Sequence, residues 1–224
     1  MNETVTVVIP TKNEEEGISE VIDAVKPHAD EVLVVDGHSK DRTREVAKSK
    51  GVNVELDGGC GKGDGIRTAI QKAKGDIIVF IDADCSHIAD DIPKLVKPIK
   101  DGESDLVIAS RMRGGSEELC GDISEAFRMI MGVFINLIIN YRFGSRITDS
   151  QNGFRAIRKS VAKQLELKAS KFDVEEEMLM KCLKKGFKVS EVPSRELKRK
   201  YGKSNINLWK IWYIYMWRVF VNLF

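Results

Sequence analysis

Apolar residues gather in five short runs over the first half of the chain: Val5 to Ile9, Glu31 to Val35, Val52 to Leu56, Ile77 to Ile81 and Asp105 to Ala109. Their length and content predict strands, the run at Ile77 to Ile81 a buried one. Helical patterning or Gly-rich loops separate them, with helices expected at Gly17 to Val25, Arg42 to Ser49, Gly65 to Lys74 and Ile92 to Lys100. This alternation predicts βαβ units, and hence an α/β fold with a mainly parallel sheet and helices on both faces. Ligands of such sheets sit outside the carboxyl ends of strands. Three polar clusters fall there: Thr11-Lys12-Asn13-Glu14, Asp36-Gly37-His38-Ser39 and Asp82-Ala83-Asp84.

Two later stretches depart from the alternation. Phe127 to Tyr141 is a mostly apolar segment of fifteen residues that carries Arg128, Asn136 and Asn140. It reads either as a buried helix or as a helix lying in a membrane surface with its polar residues turned from the acyl chains, and periodicity does not separate the two. Residues 206–224 hold all three tryptophans and are interrupted by Lys210 and Arg218. That is too polar for a spanning helix, but aromatic residues beside basic ones suit a membrane interface facing anionic lipid. The division expected is a catalytic domain over 1–205 and an amphipathic interface helix over 206–224, with docking of that helix on the core as the alternative.

Composition sharpens this. With 42% apolar residues among 224 and no linker-like tract, one core in a single domain is expected. The net charge is only +2, and no nucleic-acid partner is expected, yet Lys181 to Lys210 holds ten basic residues against Glu191 and Glu196, a local +8. Cys60, Cys85, Cys120 and Cys182 form no C-x-x-C, and His28, His38 and His87 do not cluster, so neither a zinc site nor a disulfide framework is indicated and a reducing setting fits. The opening residues pass straight into a strand without the n- and h-regions of a signal peptide.

The strand at Ile77 to Ile81 runs directly into Asp82 and Asp84. Two carboxylates one residue apart at a strand end can turn toward one hard cation, Mg²⁺ or Mn²⁺, that in turn holds a diphosphate. The plainer alternative is a solvated pair capping the next helix. In Gly61-Lys62-Gly63-Asp64-Gly65-Ile66-Arg67 the glycines permit close backbone approach to phosphate or base. The loop lacks the Ser or Thr of a Walker loop and the register of a dinucleotide fold.

Taken with Val7-Val8-Ile9-Pro10-Thr11-Lys12-Asn13-Glu14, Val34-Val35-Asp36-Gly37-His38-Ser39, Ile108-Ala109-Ser110-Arg111, Asp149-Ser150-Gln151-Asn152-Gly153-Phe154-Arg155 and Arg199-Lys200-Tyr201-Gly202-Lys203-Ser204-Asn205, these motifs cover nearly the whole chain in order. Together they resemble family 2 glycosyltransferases of the dolichyl-phosphate mannose synthase-like branch. The resemblance implies a single-domain Rossmann-like nucleotide-diphospho-sugar transferase fold of glycosyltransferase type A. It implies donor contacts from Pro10, Lys12, Glu14, Asp36, Lys62, Arg67, Asp82 and Ala83, with Asp36 acting alone because Gly37 stands where the family carries a second acid. Metal ligands would be Asp82, Asp84 and Ser86; acceptor-phosphate contacts would be Arg111, Arg128, Gln151, Arg199 and Lys203, and Asp84, Arg111, Arg128 and Arg199 would carry catalysis.

The implied reaction is inverting, metal-dependent transfer of a sugar from GDP-mannose, UDP-glucose or a UDP-N-acetylhexosamine to dolichyl or polyprenyl phosphate, by a protein peripheral on the cytoplasmic face of a membrane. A phosphate with a second ionisation near ~6 is largely deprotonated at neutral pH and needs no strong base. Transfer to a hydroxyl acceptor is the alternative, with Glu175 or Glu176 as base, although Glu175-Glu176-Glu177 reads more simply as a solvated helix start. An aspartyl phosphohydrolase usually places its acidic pair after the first strand, and a lipid-binding module leaves Asp82, Lys62 and Glu14 without a role.

Overall fold

The structure, a computed structural model, describes residues 3–117, 123–201, 217, 218 and 220–222, with backbone alone over 123–128. Strands β1 (Val5–Thr11), β2 (Glu31–Asp36), β3 (Asn53–Leu56), β4 (Ile77–Phe80), β5 (Leu106–Ser110), β6 (Arg155–Arg158) and β7 (Val189–Pro193) form one sheet in the order β3-β2-β1-β4-β6-β5-β7. All five expected strands are present. β6 lies antiparallel between β4 and β5, while β1 to β4 pair in parallel, as do β5 and β7.

Side chains alternate across the sheet, so each strand feeds two cores. Val7, Ile9, Ile77 and Val79 pack with α1 (Ile18–Val25), α2 (Thr43–Ser49) and α4 (Ile92–Lys100). Val8, Ile78 and Phe80 pack on the other face with α3 (Lys62–Lys72), α6 (Ile123–Phe143), α7 (Lys159–Gln164) and α8 (Val174–Lys184). A single turn, α5 (Arg111–Gly114), follows β5.

Helix α3 begins three residues before the expected Gly65, although Gly63 and Gly65 are poor helix formers. Packing overrides propensity, because a Cβ on Gly63 would stand 2.1 Å from the Ala169 carbonyl oxygen and one on Gly61 2.4 Å from that of Ser170. These two glycines let the loop pack against backbone at 169–170, before any phosphate is considered.

Helix α6 has an inverted face. Asn136 Nδ2 donates to the Thr148 carbonyl at 2.6 Å, and Asn140 Nδ2 donates to that of Ile147 at 2.8 Å. Ile135 and Ile139 are buried beside Asn136, whereas Ile130, Val133, Phe134 and Leu137 are exposed, Leu137 by 60%. The C-terminal segment repeats the pattern: Arg218 Nε donates to Asp173 Oδ2 at 2.7 Å, while Trp217 and Phe220 point outward. Trp209, Lys210 and Trp212 lie outside the described residues. Among the described residues no helix is long and apolar enough to cross a membrane.

Candidate active site

The strand ends open onto a cavity of about 470 Å³, a size suited to a small-molecule ligand. Strand order lays it out. Val35, Gly37, Asp57 and Gly65 line the end over β2 and β3, Arg111, Gln151 and Glu196 line the end over β5, and Asp82 and Asp84 lie between, with Arg199 beside Asp84.

Beyond β4 the chain turns sharply, with Cys85 in the left-handed region at φ 61°, a conformation costing roughly 1–2 kcal/mol in an L-residue. The turn brings Ser86 back onto Asp84, whose Oδ1 accepts from the Ser86 N–H at 3.0 Å and its hydroxyl at 2.7 Å. Segment 196–200 is strapped along this turn, with the Leu197 N–H on the Ser86 carbonyl at 2.8 Å and the Lys200 N–H on that of Asp84 at 3.3 Å. The strap delivers Arg199, whose Nη2 lies 2.8 Å from Asp84 Oδ2.

Asp82 has its own cation. Lys62 Nζ lies 2.8 Å from Asp82 Oδ1 and 2.8 Å from Glu175 Oε1. Burial works against charge on Asp82, but the Lys62 ammonium, aided by His87, holds its carboxyl well below the usual range. Burial likewise disfavours the ammonium, and Asp82 with Glu175 overrides it and keeps Lys62 protonated. Gly153 is needed beside this pair, because a Cβ there would stand 2.8 Å from Asp82 Oδ2 and 3.0 Å from Lys62 Nζ. Glu14, at the end of the neighbouring β1, is pushed up to about 7 by burial and then by the Asp84 charge, with Arg199 working the other way.

At the far end, Arg111 is forked onto Asp149, with Nε on Oδ2 at 2.7 Å and Nη2 on Oδ1 at 2.9 Å, and its Nη1 reaches Glu196 Oε1 at 3.3 Å. Gln151 Nε2 donates to Glu176 Oε1 at 2.9 Å. Burial pushes Glu176 up to about 8, against the Gln151 hydrogen bond.

Of the donor residues expected from sequence, Pro10, Lys12, Glu14, Lys62, Asp82 and Ala83 line the cavity. Two do not. Asp36 is fully buried and spends its carboxylate on the Ser39 N–H and hydroxyl. Arg67 donates to the Ala169 carbonyl and to Asp64, bracing the loop. Of the residues expected at the acceptor phosphate, Arg111, Gln151 and Arg199 line the cavity, although Arg111 is already neutralised by Asp149; Lys203 and the Arg128 side chain lie outside the described residues. The solvated helix start is corrected outright: Glu175, Glu176 and Glu177 are all buried, on Lys62, Gln151 and the N–H groups of Lys168 and Ala169.

Sequence reading passed over His87, Asp57 and Glu196 as cavity residues, and considered Glu175 only as a base for the alternative hydroxyl acceptor. His87 is buried against Phe154, ring centroids 5.1 Å apart, with Nε2 3.6 Å from Asp82 Oδ2. It lies five positions after Asp82, which is its only signal in the chain.

Asp82, Asp84 and Ser86 present hard oxygens at one strand end, the donor type that Mg²⁺ and Mn²⁺ prefer. Among the described residues no three His, Cys, Asp or Glu side chains gather around a point. The pair therefore fits a cation that completes its shell with water and ligand phosphate, as Mg²⁺ usually does.

A mainly parallel α/β sheet with an acidic pair after its central strand is the architecture that the sequence resemblance implied. The chain belongs to Glycosyl transferase family 2, whose profile matches residues 6–166. It is 29% identical over 195 residues to the low-salt glycan biosynthesis hexosyltransferase Agl6 of Haloferax volcanii, covering 85% of this chain and 47% of that protein. It is 33% identical over 216 residues to the dolichol-phosphate mannosyltransferase of Pyrococcus furiosus, covering 90% and 59%. The chain thus spans about half the length of these relatives. The crystal structure of glucosyl-3-phosphoglycerate synthase from Mycobacterium tuberculosis, in complex with Mn²⁺, UDP and phosphoglyceric acid, superposes with a TM-score of 0.78 at 24% identity, covering 99% of this chain and 79% of that one. This likeness establishes the fold.

Proposed function

We propose that the protein transfers a sugar from a nucleoside-diphosphate sugar to a polyprenyl or dolichyl phosphate at a membrane surface. The observation that carries this reading is the pairing of each central carboxylate with a side-chain cation: Lys62 on Asp82 and Arg199 on Asp84. Two cations beside an acidic pair suit a site that gathers phosphates from two substrates around one metal.

Asp82, Asp84 and Ser86 would hold Mg²⁺ or Mn²⁺, which when bound neutralises charge on the leaving diphosphate. Lys62, fixed from two sides, faces the donor diphosphate. Gln151 would face the acceptor phosphate from the β5 end, and Arg199, beside Asp84 at the centre of the cavity, would offer the planar fork that phosphate takes best. No acceptor base is needed for a phosphate nucleophile. Glu175 is tied to Lys62, and Glu176 stays protonated to about pH 8, so neither suits the base that a hydroxyl acceptor requires. The exposed apolar side of α6 supports the membrane reading, because this helix is fastened to the segment that carries Gln151 into the cavity.

The test is transfer of labelled sugar from UDP- and GDP-sugars to polyprenyl phosphate in vesicles with Mn²⁺. Label should move into the lipid phase with the native chain, while Asp84→Ala remains folded and transfers none. Label recovered only in water-soluble oligosaccharide, or equal transfer by Asp84→Ala, would reject the reading.

A further inference from the structure

Asn136 and Asn140 interrupt the apolar run of α6, and the transfer chemistry gives neither a role. They stand one helical turn apart on one face. Asn136 Nδ2 donates to the Thr148 carbonyl, and its Oδ1 accepts from the Ser150 N–H at 3.2 Å. Asn140 brackets Ile147, with Nδ2 on its carbonyl and Oδ1 accepting from its N–H, each at 2.8 Å, and Oδ1 also accepts from the Ser145 hydroxyl at 2.8 Å. Four backbone groups of the segment between α6 and β6 therefore end on two side chains of one helix.

The same helix touches the residue that this segment delivers. Gln151 follows Ser150 directly and lines the cavity; its Nε2 donates to Glu176 Oε1, and a Cβ on Gly132 of α6 would lie 3.4 Å from its Oε1. Gly132 is a poor helix former inside α6, and a longer side chain there would press on the Gln151 amide. β7 holds the other side of the segment, where Glu191 Oε1 accepts from the N–H groups of Thr148 and Asp149 at 2.8 Å each. Residues 147–151 are thus suspended between the sheet and α6.

An amide withdrawn from water is unfavourable unless its two ends are matched, and the bonds that match it are directional. Apolar side chains at 136 and 140 would pack the helix without tying its rotation to the segment; the two asparagines tie it. On the outer side of the helix runs the exposed row of Ile130, Val133, Phe134 and Leu137. One rigid element therefore joins the lipid-facing row to Gln151.

We propose that Asn136 and Asn140 are positioning residues through which α6 sets Gln151, so that a bilayer on the outer side of the helix and an acceptor phosphate at Gln151 favour each other; this rests on the acceptor reading above. Seating in lipid restricts the tilt and rotation of α6, the two amides carry that restriction to residues 147–151, and Gln151 meets the phosphate already ordered. The coupling runs both ways, because linked binding equilibria are reciprocal.

The test is transfer of labelled sugar, with Mn²⁺, to dimethylallyl phosphate, a short prenyl phosphate that stays in water, with and without acceptor-free vesicles of phosphatidylcholine and phosphatidylglycerol. In the native chain the vesicles should lower the acceptor KM at least about fivefold, the low end of coupling between two sites, and leave the donor KM unchanged. Phe134→Glu with Leu137→Glu should lose this response. Asn136→Asp, which keeps an oxygen for Ser150 and loses the donor to Thr148, should raise the acceptor KM about tenfold, the scale of one lost polar contact, with the donor KM held and the vesicle response gone. Gly132→Val, which crowds Gln151 while leaving every hydrogen bond of the two asparagines in place, should raise the acceptor KM in the same way. A native chain whose acceptor KM ignores the vesicles would overturn the proposal. So would a full vesicle response in Asn136→Asp or in the Phe134, Leu137 double variant, an unchanged acceptor KM in Gly132→Val, or a rise of donor and acceptor KM alike in Asn136→Asp, the mark of a general structural defect. Transfer that is blind to vesicles defeats the coupling alone, whereas no transfer to any prenyl phosphate, dissolved or in vesicles, defeats the acceptor reading itself.

Discussion

A carboxyl group on Glu176 sits fully buried with one oxygen on Gln151 and the other without a partner. Its pKa rises from 4.5 to about 8, so the folded chain holds a proton that the unfolded chain releases at lower pH. The sign follows. Below about 4.5 both states are protonated and nothing is lost; as pH rises toward 8 the unfolded state ionises first, and stability falls by an order of a few kcal/mol. Glu176→Gln keeps an oxygen for Gln151 and removes the titration. Native melting temperature should therefore drop between pH 5 and 8 more steeply than that of the variant, with a residual slope from Glu14, raised to about 7. Parallel profiles would mean that Glu176 is charged in the folded state. Three adjacent glutamates gave no hint of this in the sequence, because their partners Lys62, Gln151 and Ala169 come from other elements. Asp82 and Asp84 were legible because strand and acids are contiguous. His87 and Asp57 were not, since each reaches the cavity only through contacts the fold creates.

Elements repeat the lesson. Buried parallel strands announce themselves by runs rich in Val, Ile and other apolar residues, which is why β1, β2 and β4 were legible. β6, with the sequence Arg155-Ala156-Ile157-Arg158, has no such run, and Arg155 is buried by donating to the carbonyls of Ser150, Asn152 and Glu175. Helix α6 was legible as a helix, and the contacts of Asn136 and Asn140 then decide which side faces in. Its outward side should meet lipid. Burying a Leu or Phe side chain is worth about 1.5–3 kcal/mol each, so Phe134→Glu with Leu137→Glu should cut partition onto lipid vesicles at least about tenfold. Both positions are exposed, and surface changes away from packed features usually move stability within ±0.5 kcal/mol, so the melting temperature should hold. Unchanged partition would free this face for another role, and a collapse in melting temperature would show that it is packed in solution.

For the whole molecule, sheet order and charge point the same way. One end of the cavity, lined by Val35, Gly37 and Asp57, lies over β2 and β3, and the other, lined by Arg111 and Gln151, where the proposed acceptor would sit, lies over β5. A molecule so arranged would approach a bilayer with its acceptor end and keep the end over β2 and β3 toward water, where the donor is dissolved. Although the net charge is only +2, the local +8 over Lys181 to Lys210 precedes residues with exposed Trp217 and Phe220. Each basic residue near an anionic surface contributes about 1 kcal/mol, and this attraction weakens as the screening length falls from about 10 Å at 0.1 M salt to about 3 Å at 1 M. Co-sedimentation of the full chain should accordingly be strong with anionic vesicles at low salt, weaker with neutral ones, and reduced by salt to the level that apolar contacts alone sustain. A chain ending at Asn207 loses Lys210, Arg218 and the tryptophans, so it should bind more weakly while keeping the part that Phe134 and Leu137 provide. Equal binding by both chains would take the C-terminal segment out of the mechanism, and binding indifferent to lipid charge and to salt would leave the basic stretch without this role.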